Sequence, residues 1–245
     1  MNDPRLSIIG KRLSRIRRTF VFSSGKGGVG KSSCSCLAAL VLADGGTKTG
    51  LLDLDFQGAS DHILLGISPS FPDEAGGLIP LTPYPDLSFM SITCFTGERD
   101  VPLRGSGVSD AILELLAVTL WGKTEVLIID MPPGCGDEIL DVVRLIPRGE
   151  MILVSTPAVL SESITRRTAG LLARTGAEVR GIIYNMTEND TASTGTLPSK
   201  GIDGLPRLGG IPYSGDFEGK TGSPRQLVTS VQAAGMEKII KGLLF

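Results

Sequence analysis

A glycine-rich run, Ser24-Gly25-Lys26-Gly27-Gly28-Val29-Gly30-Lys31-Ser32, constrains this chain more than any other stretch. It follows the apolar Thr19-Phe20-Val21-Phe22, which reads as a strand, and it precedes a helical pattern that begins near residue 30. Glycine lets a backbone wrap tightly and turn its N–H groups inward toward an anion. A helix that starts at once afterwards adds its positive end. The spacing G-x-x-x-x-G-K-[ST] is the one in which backbone N–H groups cradle phosphates, the lysine (Lys31) reaches the β- and γ-phosphates and the hydroxyl (Ser32) ligates Mg²⁺. The alternative, a glycine-rich turn with incidental charge, leaves two lysines and the helix start unexplained. The expectation is a nucleoside triphosphate site, ATP with Mg²⁺, built from Gly25, Lys26, Gly27, Gly28, Val29, Gly30, Lys31, Ser32 and Ser33.

The rest of the chain alternates strand and helix patterns, which predicts an α/β fold with a doubly wound, mostly parallel sheet. Strands are expected at 49–54, 87–93, 126–129, 151–154, 179–184 and 207–211. Helices are expected at 33–44, 107–120, 161–175 and 226–241, with Asp44-Gly45-Gly46 closing the first of these. Residues 5–18 read as a basic amphipathic leader helix with a solvated face, residues 66–86 as a surface connection and residues 186–206 as a polar loop. At 245 residues the simplest organisation is one P-loop domain spanning 1–245, with 1–18 as its leader.

Composition excludes several classes of function. A count of 24 Lys and Arg against 26 Asp and Glu argues against coating nucleic acid. The single histidine, His62, argues against histidine-rich metal sites and Ser/His triads. Four cysteines in a chain this long make no disulfide framework, which points to a reducing, cytoplasmic setting. No run is long and apolar enough to span a membrane. The amphipathic end, residues 236–245, is expected to pack in the core rather than lie on a membrane.

Three aspartates follow the glycine-rich loop. Asp53 and Asp55 end the second strand, where ligands gather in parallel α/β sheets. Asp130 ends the wholly apolar Val126-Leu127-Ile128-Ile129 and leads into Met131-Pro132-Pro133-Gly134. An aspartate so placed holds Mg²⁺ behind the phosphates, while Asp55 is the candidate to orient or deprotonate an attacking water. The metal set is therefore Ser32, Asp55 and Asp130. Lys26 is a second lysine where one suffices, and in a face-to-face dimer it reaches the partner's phosphates as a finger supplied in trans.

These motifs resemble those of the MinD/ParA/nitrogenase-iron-protein class of ATPases, and within it the Mrp/ApbC branch. The loop at 24–32 is similar to the class's deviant Walker A motif, and Asp53-x-Asp55-x-x-Gly58-x-Ser60 is similar to the branch's switch I. Asp130-Met131-Pro132-Pro133-Gly134-x-Gly136-Asp137 resembles its switch II, and Arg104-Gly105, Trp121-Gly122, Asn185-Met186 and Gly210-Ile211-Pro212 fall where the branch has similar groups. The likeness runs from about residue 11 to the end. It implies an ATP-hydrolysing homodimer in which Lys26 acts across the dimer, Lys31 and Ser32 hold phosphate and Mg²⁺, and Asn185 and Pro212 lie against the adenine. It also implies a carrier or scaffold of iron–sulfur clusters for apoprotein clients. An alternative is a cluster-free, nucleotide-gated switch.

The chain departs from that branch where the cluster would sit. Asn185-Met186-Thr187-Glu188-Asn189-Asp190-Thr191 lacks the branch's C-x-x-C pair, and no cysteine follows Cys135. Ala59 replaces the usual proline and Cys135 the usual threonine. Cys34 and Cys36, two apart on a helix, point in different directions and read as core. Cys94, expected at a strand tip, and Cys135, in switch II, are left as candidates for a 4Fe-4S site across a dimer face.

Overall fold

The computed structural model describes residues 3–97, 105–134, 136–188, 202 and 204–244. The chain opens with α1 (Pro4–Leu13), capped by Asp3, whose carboxylate accepts the Arg5 N–H at 2.9 Å. Then come β1 (Arg18–Ser23), α2 (Lys31–Asp44), β2 (Thr49–Asp53), α3 (Asp61–Leu64), β3 (Leu81–Tyr84), β4 (Leu87–Ser91) and α4 (Thr93–Thr96). The middle of the chain supplies α5 (Ser106–Val118), β5 (Val126–Asp130), α6 (Asp137–Leu145), β6 (Gly149–Ser155), α7 (Val159–Thr175) and β7 (Glu178–Thr187). It closes with β8 (Arg207–Pro212), α8 (Asp216–Lys220), α9 (Pro224–Leu227) and α10 (Val231–Leu244).

The eight strands form one sheet in the order β3-β4-β2-β5-β1-β6-β7-β8. Every neighbouring pair is parallel except β3 with β4. The central strands β2 and β5 are buried along their whole length, which is why their sequences are nearly unbroken apolar runs. Parallel pairing sends all their carboxyl ends to one edge. Asp53 and Asp130 are register partners there, with Phe22 of β1 on the other side of Asp130. Trp121 closes on this sheet at Gly50, where a Cβ would lie 2.7 Å from the indole ring.

The strand expectations hold, as do the helices expected at 33–44, 107–120 and 161–175, with ends moved by a few residues. The leader helix is shorter than expected. It stops at Leu13, and Arg18 already belongs to β1, where its guanidinium makes two 2.6 Å bonds to Glu150. The helical pattern cannot persist there because Arg17 pairs its N–H with Glu125 O to enter the sheet. The basic residues of this segment are largely matched within the chain: Arg5 reaches Asp110 and Glu114, and Arg17 pairs with Glu125. The connection at 66–86 contains the edge strand β3. The helix expected at 226–241 is two pieces, α9 and α10, and α6 was not anticipated at all.

Of the polar loop expected at 186–206, Met186 and Thr187 complete β7, while residues 189–201 and 203 lie outside the described residues, as do Arg104 and Cys135. In α10, Met236, Ile239, Ile240 and Leu243 are buried, packed against α2 and β8, so the amphipathic end is core, as expected. Among the described residues no helix is long and apolar enough to cross a membrane.

Candidate functional site

The carboxyl edge of β1 opens into the glycine-rich loop, and α2 starts at Lys31. Gly28 and Gly30 have φ of 78° and 76°, a region that a residue with a Cβ enters at a cost. At Gly30 the close packing adds a second reason, because a Cβ there would collide with the Asn185 side-chain amide. That amide donates to Val29 O at 2.9 Å, so Asn185 braces the loop from β7. Gly25 serves differently: a Cβ there would stand 2.5 Å from Ile164 Cγ2, so its lack of a side chain lets the loop lie on α7.

A cavity of about 270 Å³ sits in this loop, lined by residues including Lys26, Lys31, Ser32, Ser33, Asp55 and Pro133. A neighbouring cavity of about 340 Å³ shares Ser33 with it and extends past Cys34, Asn185, Pro212 and Tyr213. The first is polar and loop-walled and the second more apolar, a division that suits phosphates and a nucleoside respectively. Asn185 and Pro212 line this second cavity together, and Ser33 lines both.

Lys31 is buried, with its ammonium 2.7 Å from Asp130 Oδ2 and 3.2 Å from Ser32 Oγ. Burial works against its charge, but Asp130, with smaller help from Asp61 and Asp55, outweighs it and holds the ammonium above its ordinary pKa. Asp130 is held on both oxygens: Oδ2 also accepts from Ser32 at 2.7 Å, and Oδ1 accepts from Ser35 at 2.8 Å. The hydroxyl–carboxylate pair of Ser32 and Asp130, beside a cavity that Asp55 lines, is a donor set that fits a hard divalent ion.

The turn after β2 is tied by its own aspartates. Asp53 Oδ1 accepts the Asp55 N–H at 3.0 Å, and Asp55 Oδ1 accepts the Gly58 N–H at 2.9 Å. The turn after β5 is tied to the glycine-rich loop by Gly134 N–H on Ser24 O at 2.8 Å. These two turns and the loop therefore meet at one point. Lys26 stands in the wall of the phosphate cavity, partly exposed, and no ion pair among the described residues engages its ammonium.

One acidic residue was missed. Asp61 begins α3 and is wholly buried beside Asp53 and Asp130. In the sequence it looks like an ordinary acid in a first helical turn, and the four-residue helix it opens has no readable periodicity. The combined signal, an acid soon after the Asp53 and Asp55 turn, was present but not distinctive.

The cysteines are corrected in one respect. β4 ends at Ser91, so Cys94 is not a strand tip but lies inside α4, buried, where desolvation raises its thiol pKa. Cys34 and Cys36 are core residues, as expected. The cluster site expected of Cys94 with Cys135 cannot be described as a pair, since Cys135 lies outside the described residues.

The family model described as ParA, NUBPL iron-transfer P-loop NTPase, matches residues 15–199. A cytosolic Fe-S cluster assembly factor Nubp2 homolog from Drosophila willistoni is 30% identical over 252 residues, covering 95% of this chain and 96% of that protein. An iron-sulfur cluster carrier protein from Mycobacterium bovis is 32% identical over 173 residues, covering 70% of this chain, which spans only 45% of that relative's length. Among solved structures, an Archaeoglobus fulgidus nucleotide-binding protein in complex with ADP aligns with TM-score 0.75 and 27% identity over 94% of this chain and 95% of its own. The Pyrococcus furiosus cell division ATPase MinD aligns with TM-score 0.70 and 20% identity over 94% of this chain and 99% of its own, a likeness of fold.

Proposed function

The chain belongs to the NUBPL iron-transfer P-loop NTPase family, and from that premise we propose that it is a Mg²⁺-dependent ATPase that works as a homodimer in iron–sulfur cluster assembly or transfer. The observation that carries the reading is the paired cavity, in which the Lys31, Ser32 and Asp130 side chains meet beneath the phosphate half and Asn185 and Pro212 line the nucleoside half. Lys31 leaves Asp130 to meet the phosphates. Asp55, in the cavity wall, orients the attacking water. Ser32, Asp55 and Asp130 would hold Mg²⁺, which would neutralise charge at the phosphates.

Lys26 completes the site of a second copy. Its ammonium is uncommitted among the described residues, and Val159 and Leu160, at the same edge of the sheet, are 83% and 66% exposed. Such an apolar edge beside the phosphate cavity supports a face-to-face dimer. Lys26→Ala is expected to keep nucleotide binding and to lose hydrolysis by a factor of roughly 10³, the scale of a charge supplied in trans. Unchanged turnover of ATP would refute the trans role.

The cargo is an iron–sulfur cluster treated as substrate, passed to an apoprotein client in the cytosol, as the names of the relatives suggest. A second reading, a nucleotide switch without a cluster, is favoured first by the absence of any cysteine between Cys135 and residue 245. Burial of Cys94 favours it further, since a cluster shared across a dimer face on Cys94 and Cys135 requires α4 to open. Iron and acid-labile sulfide measured after anaerobic reconstitution separate the two. Stoichiometric cluster supports the carrier, and none supports the switch.

A further inference from the structure

Beneath the phosphate cavity the carboxylates of Asp53, Asp61 and Asp130 offer oxygens that all lie within 4.8 Å of one another, and all three residues are essentially inaccessible to solvent. They come from three elements: the ends of β2 and β5, and the start of α3. Each is fixed by its own backbone, so the convergence does not depend on one flexible loop.

A second observation sets this group apart from an ordinary acidic patch. Both carboxylate oxygens of Asp61, and Oδ2 of Asp53, are buried with no hydrogen-bond partner among the described residues. Buried carboxylate oxygens are nearly always paired. Lys31 compensates one charge only, and it does so at Asp130 Oδ2. Burial, and after it the neighbouring Asp130 carboxylate, raise the pKa of Asp53 to about 8 and that of Asp61 well above the carboxylate range, so a cation that enters displaces protons from them.

We propose that Asp53, Asp61 and Asp130 form a binding site for a hard divalent cation that is separate from the nucleotide's Mg²⁺ and is filled without nucleotide. An all-oxygen, carboxylate-rich donor set selects Mg²⁺, Mn²⁺ or Ca²⁺ over softer metals. Asp61 supplies two free oxygens and Asp53 one. Asp130 supplies Oδ1 once the Ser35 hydroxyl turns to Ser32 O, which already stands 2.9 Å from it. The Lys31 ammonium keeps the other side of Asp130. An ion there ties the start of α3 to the carboxyl ends of β2 and β5, and so fixes the acidic turn after β2 before any phosphate arrives. The site shares Asp130 with the proposed ATPase centre, but neither Lys26 nor the glycine-rich loop contributes a ligand to it.

The test is Mn²⁺ titration of the nucleotide-free protein, with free ion read from its six-line electron paramagnetic resonance signal, and with Ca²⁺ as competitor. The expected result is one Mn²⁺ per chain and an affinity at least tenfold weaker in Asp61→Asn and Asp53→Asn. The thermal midpoint of the unaltered protein should also rise with Mn²⁺ in the absence of nucleotide, a readout that survives even if an Asp61 variant fails to fold. Absence of binding up to millimolar Mn²⁺, or equal affinity in Asp61→Asn, would overturn the proposal. Equal affinity in Asp61→Asn would place the ion in the phosphate cavity, whose lining includes Asp55 and not Asp61. ATP binding measured on the same samples shows separately whether the nucleotide reading stands.

Discussion

At the scale of single residues, the site depends on positions where a side chain must be absent as much as on those where one is present. Gly30 is strained for any other residue by its φ of 76° and is also closed off by Asn185. Gly30→Ala is expected to lower stability by about 1–3 kcal/mol from backbone strain and packing. Asn185→Ala in the same chain removes the collision but not the strain, so denaturant midpoints should show partial recovery. The loop from Gly25 to Ser33, proposed as the nucleotide site, is legible in the sequence because it is contiguous and its spacing reflects a local geometric need. Asp61 was not, because its significance arises only when α3 brings it against Asp53 and Asp130. The Asn185 bond to Val29 was likewise invisible, since it joins residues 156 apart.

At the scale of elements, legibility followed length and burial. The strands β2, β5 and β6 are apolar because both faces are covered, and they read directly. The helices α3, α4, α8 and α9 have four or five residues, fewer than the two turns a 3.6-residue period needs to show itself. α6 does carry Ile139, Val142 and Leu145 on its buried side, but Pro132, Pro133 and Pro147 around it gave the segment the look of a loop. α10 tests how tightly elements are matched. Its Ile239 fills the space beside Gly209 of β8, where a Cβ would lie 2.5 Å from Ile239 Cγ1. Gly209→Ala should cost about 1–3 kcal/mol by overpacking. Adding Ile239→Ala should recover part of that loss, a coupling that equilibrium unfolding of the two single variants and the double variant would reveal.

At the scale of the whole molecule, the two cavities belong to different halves of the sheet. The phosphate cavity forms where β1, β2 and β5 end, and the nucleoside cavity where β7 and β8 end. The chain joins these halves again at a distance, because the turn after α3 meets the turn after α8. Gly222 donates its N–H to Leu64 O at 3.1 Å, and Gly66 lies so close to the Gly222 carbonyl that a Cβ at Gly66 would stand 2.0 Å from that oxygen. α8 contributes Phe217 and Glu218 to the nucleoside cavity, while α3 begins at Asp61 below the phosphates. That glycine-to-glycine seam makes the order of arrival matter. A nucleoside carrying no phosphate, by settling α8, should slow hydrogen exchange at the Gly222 amide and steady α3 along with it. The base would then act as an advance signal to the acidic end of the site, delivered before any phosphate is there to be read.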